Sequence, residues 1–341
     1  GDATITTFNS SSGSTTIGGV ATITTLTTGT LNLNGATAAV TTLNGGTITL
    51  GTTALTVSAG TSAGSISGSA GSVIVTGGTL TVSGANTYGG GTTVNSGSLI
   101  VGATTALPTS GPIAVNAGSL LTLNIAGTFG GSSQTLTLNA NQSANPVLST
   151  LSNAAVTLLS NVVFTDGTTN RIEPTSSGAT LTLSGNLTGT GNLLKAAAGN
   201  LILSGTSNTY SGSTQIGNGT ITVNSGSNLG TGNLTLYQTG SNATTVTLNN
   251  ASQSIGTLSS SWTAVTGTVA QTLTLNGTVL TINESTTPRS VRAPSRASIA
   301  SSPAPARSSK QARAPSRLPA PIPIPGPRPS ARVRSSPAAP G

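Results

Sequence analysis

Residues 78–102 read GTLTVSGANTYGGGTTVNSGSLIVG, and residues 199–223 read GNLILSGTSNTYSGSTQIGNGTITV. Both run through a Gly, a short aliphatic strand, Ser-Gly, Asn-Thr-Tyr, a Gly-rich turn and a second aliphatic strand. Internal self-similarity of this kind decides the architecture before any site is sought. Here it points to a stack of similar coils rather than a pocketed globule.

Outward from these two stretches, residues 1–284 keep the same grammar. Short segments beginning at Leu31, Leu121, Leu136, Leu181, Val246 and Leu273 alternate aliphatic with polar residues, mostly Thr, and end in Asn or Ser. Alternation of period two puts one face inward and leaves the β-branched Thr on the other. The closing Asn, Ser and Gly accept turn conformations that β-branched residues resist. No i, i+3, i+4, i+7 pattern marks a helix, and Thr, Gly and Ser are poor helix formers. Strands of three to five residues cannot make a stable sheet alone, but stacked in register they form inner ladders of Leu, Val and Ile. The fold expected is all-β, a right-handed parallel β-helix. With rungs of roughly 20 residues about 4.8 Å apart, it would be a rod on the order of 70 Å long.

Composition narrows the chemistry. Of 341 residues only 5% are charged and 2% aromatic, and there is neither Cys nor His. An ordinary domain carries about a quarter charged residues. Without His the commonest general base and metal ligand is gone, and without Cys there are no disulfides or thiolate sites. No run approaches the ~20 apolar residues that span a bilayer. The opening Gly1-Asp2, with no Met anywhere, reads as a fragment or a processed product.

The net charge of +8 is unevenly placed. Residues 1–284 hold Asp2, Asp166, Glu173 and Glu284 against Arg171 and Lys195, a net −2. Residues 285–341 hold ten Arg and Lys and no acid, with thirteen of the 17 prolines. The chain thus divides into a β-helical body, 1–284, and a Pro/Arg/Ala/Ser-rich tail, 285–341, expected to be disordered.

The two quoted stretches resemble the autotransporter-associated β-strand repeat, also called the passenger-associated transport repeat. The first matches its pattern at Gly78, Leu80, Val82, Gly84, Asn86, Thr87, Tyr88, Gly90, Thr92, Val94, Gly97 and Leu99. The second matches at Gly199, Leu201, Gly205, Asn208, Thr209, Tyr210 and Gly212, with one extra residue before Asn208. The resemblance implies a fragment of an autotransporter passenger on the surface or outer membrane of a Gram-negative bacterium, or secreted from it. Its partners would be an outer-membrane translocation pore and, at the surface, a host or cell-surface glycan or protein. It implies a monomeric, structural stalk or adhesin-like scaffold with no enzyme activity, no cofactor and no nucleic acid. The repeats would assist transport and folding.

Two readings compete for the tail. A basic, disordered segment can bind nucleic acid or an anionic membrane. Alternatively, Ala, Arg, Pro and Ser are what GC-rich coding DNA yields out of frame. If each true codon takes the third base of one tail codon and the first two of the next, residues 320–326, APIPIPG, permit G-A-N-T-Y-T-G. Residues 327–335 then permit A-T-T-V-S-A-G-T-L, and residues 314–319 permit G-T-L-T-L-T. That is a third copy of the repeat, in order, with the frame changing around residues 286–289.

Candidate sites are few. Residues 60–64, GTSAG, match the G-x-S-x-G elbow, which needs a strand-to-helix turn and a His partner. With no His they read as a turn. Asp166 and Glu173 flank Arg171 and are the only acids near one another. A β-helical carbohydrate-active enzyme would need such a pair in a groove, whereas residues 165–174 read as a solvated loop excursion. Tyr88 and Tyr210, at equivalent repeat positions, suit covering a rung corner better than stacking a glycan. Thr-x-Thr runs at Thr22 and Thr47 are similar to the Thr arrays of ice-binding solenoids, but their spacing is irregular. No catalytic, cofactor or metal-ligating residues emerge.

Overall fold

The computed structural model describes residues 1–35, 37–139, 144–151, 153–238, 243–262, 270–283, 289–292 and 297–301. Contacts divide the chain into two units, Gly1–Ser308 and Ser309–Gly341. The second unit, and with it most of the stretch read as tail, lies outside the described residues.

The first unit is all-β, a solenoid of about 12 turns with no helix among the described residues. Its Thr/Leu alternation sets the pairing. Leu183 lies over Leu158 and under Leu203, and the file continues through Val223 and Leu248 to Leu275. A second file climbs from Leu121 through Leu148 and Ile172 to Lys195 and Ile216. The aliphatic members of both files are essentially inaccessible to solvent. Burying each such side chain contributes about 1.5–3 kcal/mol, so the core is a column of neighbour contacts, not a centre.

Rung length is not constant. Side-chain hydrogen bonds between successive rungs span 18 residues at Asp2 and Val20 and 27 at Asn249 and Asn276. Extra residues leave at corners, so the ladders stay in register while the loops vary.

Three expectations change. Strands in the amino-terminal part are longer than three to five residues, reaching Ala3–Ile17 and Ala21–Leu33. Their registers shift midway, between Phe8 and Ser14 or Val57 and Gly60, so each is two short strands joined through a bend. Residues 60–62 are part of the strand Ala54–Ser62, not a turn. Gly60 lets the strand bend there, with φ +136° and a would-be Cβ 2.1 Å from the Leu43 carbonyl oxygen. Residues 165–174 are only partly an excursion: Thr169–Pro174 is a strand paired with Leu148–Thr150 below and Asn192–Lys195 above. Buried Asn170 and Ile172 alternate with outward Arg171 and Glu173, which hid the strand behind two charges.

Every pairing up to Val279–Ile282 is parallel. The next two strands, Arg289–Arg292 and Ala297–Ser301, pair antiparallel with Val279–Ile282 and Gln271–Leu275.

Candidate functional site

The residues that define the repeat converge on one corner of the coil, once in each copy. Asn-Thr-Tyr is extended, so Asn and Tyr point in and Thr points out. Asn86 and Asn208 are buried, Tyr88 and Tyr210 fully so, and Thr87 and Thr209 are exposed. Each buried Asn spends its amide on the rungs above and below. Asn86 Oδ1 accepts from the Ile66 N–H at 2.7 Å, and its Nδ2 donates to the Ala106 carbonyl at 2.5 Å. Asn208 Oδ1 accepts from the Leu187 N–H at 2.8 Å, while Nδ2 donates to the Asn228 carbonyl at 2.8 Å and to Ser227 Oγ at 3.1 Å. A primary amide offers both a donor and an acceptor, so one side chain satisfies buried backbone groups on two neighbouring rungs.

Each Tyr closes the same turn from inside. Tyr88 Oη lies 2.7 Å from Thr92 Oγ1, and Tyr210 Oη 2.6 Å from Thr214 Oγ1. The Tyr210 ring meets Phe164 edge-on, with centroids 5.4 Å apart. Burial pushes both phenols above their ordinary range, partly offset by these hydrogen bonds. Rings this deep cannot stack on a glycan.

The repeat glycines mark where rungs come too close for a side chain. A Cβ at Gly84 would sit 1.9 Å from the Gly64 carbonyl oxygen, and one at Gly205 2.4 Å from that of Gly185. Gly90 and Gly212 meet the same obstacle at Ala70 and Gly191. Leu80 and Leu201 are core residues. Gly78 lies at a bend within the strand Ser72–Val82, Gly199 just before the strand Asn200–Leu203, and both lie close against the rung below. Of the repeat positions that carry a side chain, only the two Thr are exposed.

The acids are not brought together as a pair. Glu173 is engaged by Arg171 on its own strand, Nη2 to Oε1 at 2.5 Å. Asp166 Oδ1 accepts from the Gly167 N–H and the Thr190 hydroxyl, both at 2.9 Å. Ser62, the would-be nucleophile, is buried, and its hydroxyl has no hydrogen-bond partner among the described residues. Among the described residues no cluster of three acids could hold a metal. No helix there is long and apolar enough to cross a membrane.

Sequence reasoning missed three features. Lys195 is fully buried, its ammonium donating to the carbonyls of Ala196 at 3.0 Å, Ala197 at 2.8 Å and Asn218 at 2.9 Å. Burial pushes its pKa down to about 7, against the pull of Glu173. Its place two residues after inward Leu193 was the available signal. Gln134 and Gln253 are buried amides that, like the repeat Asn, bond the backbone of another rung. The third feature is an outward array on the seven-rung parallel ladder that begins at Gly127–Phe129. Thr180 and Thr182, Thr220 and Thr222, Thr245 and Thr247, and Thr272 and Thr274 stand in two files, interrupted by Asn200 and Ile202. Thr22 and Thr47, the runs visible by eye, lie elsewhere.

Two stretches, residues 77–101 and 193–223, match the family model described as the passenger-associated-transport-repeat. No curated protein and no solved structure is significantly similar to the chain.

Proposed function

We propose that residues 1–284 are a segment of an autotransporter passenger: a structural, adhesin-like or stalk-like scaffold without catalytic activity, displayed on a Gram-negative surface or released from it. The observation that carries this reading is how the repeat signature is used. Asn and the close-packed Gly are used in contacts between rungs, and each Tyr hydroxyl in a bond within its own turn, so the signature serves the stack itself.

Such a repeat suits passage through an outer-membrane pore. The ladder of each rung bonds to the rungs next to it, so an emerging coil can add to the one already formed without waiting for distant sequence. The buried amide bonds of Asn86 and Asn208 give each arriving rung a fixed register. The absence of Cys leaves no disulfide to obstruct the passage. On this reading the passenger acts as a monomer, its outer faces meet host or cell-surface glycans or proteins, and nucleic acid is not a partner.

Placing Pro at Leu201 and at Leu203, within the strand Asn200–Leu203, removes ladder donors from a rung paired on both sides. In the secreted full-length protein, accessibility to protease on intact cells should fall several-fold. Unimpaired display would contradict the transport role, and cleavage of a polysaccharide by the purified protein would contradict the structural one.

A further inference from the structure

We propose that the gene encodes a third repeat in a shifted frame across residues 304–335, and that this third copy includes the buried-lysine corner seen at Lys195. The shifted reading of the tail reaches further back than its Asn-Thr-Tyr core. Residues 304–320 read APARSSKQARAPSRLPA and permit G-T-G-T-L-V-K-T-G-T-G-T-L-T-L-T-G. Residues 189–205 read GTGNLLKAAAGNLILSG. The two align without a gap, lysine on lysine.

Three positions are tightly constrained by the code. Gln311 follows a Lys codon ending in A or G, so its shifted codon gives only Thr or Ala, where the second copy has Ala196. Ala312 follows a Gln codon ending in A or G, so it gives only Gly or Ser, where the second copy has Ala197. Ala197 is the one non-glycine with a positive φ among the described residues, at 66°. Gly is the residue that adopts that backbone without strain. The shifted Lys310 codon ends in AA and gives Lys whenever Ser309 ends in A. It falls where Lys195 holds three carbonyls from two rungs.

The backbone changes at the same place. Parallel stacking holds through Val279–Ile282, and the first strands beyond residues 286–288 run antiparallel instead. A frame change there replaces residues patterned for a further parallel rung by residues that are not.

The coding DNA tests this directly. Asn at 322 requires Pro321 to be CCA, Tyr at 324 requires Pro323 to be CCT, and Lys at 310 requires Ser309 to end in A. One base gained near codons 286–289 should open the frame. Mass spectrometry of the protein from its native source should then yield peptides of the restored frame. Any other base at these three positions would overturn the proposal. So would native peptides carrying the tail as it stands, such as residues 318–328.

Discussion

At Asn208 a single amide joins three rungs, taking the Leu187 N–H from below and giving its own N–H to the Asn228 carbonyl above. Asn208→Ala would leave the buried Leu187 N–H and the part-buried Asn228 carbonyl unpaired. Each such group costs about 1–3 kcal/mol, so the loss should be about 2–6 kcal/mol. Thr209→Ala, on the exposed neighbour, should stay within about 0.5 kcal/mol. Urea unfolding followed by circular dichroism measures both, and equal effects would contradict the stitching role. This distinction was only half legible beforehand. Period-two alternation says that Asn208 and Tyr210 share a face, but composition does not say that a polar Asn chooses the inside. What decides it is the backbone of the adjacent rungs, which a single segment of sequence does not display.

The corner built on Lys195 joins the strand Asn192–Lys195 to the turn before Gly219–Val223 and gives stability a distinctive dependence on pH. The folded pKa is about 7, and an unfolded Lys titrates near 10.4. Between those values the unfolded chain binds more protons than the folded one, so stability rises with pH across that window. Above about pH 10 the sign reverses, because Tyr88 and Tyr210 ionise freely only when unfolded. Thermal melts should therefore peak near pH 10. Lys195→Met should lack the rise from pH 7 to 10 while keeping the fall above it, and a rise of equal size in the variant would refute the assignment. Elements were legible where Leu and Thr alternate without charge, as at Thr180–Leu183. They were obscured where charges sit on the outward face, as at Thr169–Pro174, and where Gly bends a continuous strand, as at Gly60.

At the scale of the Gly1–Ser308 unit, the repeats announced a solenoid because no other arrangement buries so many short, identical aliphatic segments. The variable rung length was not legible, since corners absorb extra residues without disturbing the ladders. Neither was the outward Thr array, whose order exists only across rungs. In-register parallel stacking is directly measurable with spin labels placed in pairs, because the chain has no Cys of its own. Thr128 lies four, five and six rungs below Thr222, Thr247 and Thr274 along one outward file. With Cys introduced at each pair, electron–electron distances should lengthen in equal steps of about 4.8 Å, with backbone separations of about 19, 24 and 29 Å. Distances that fail to increase along the series, or that shorten at Thr274, would mean the strands fold back on one another and would contradict the stack.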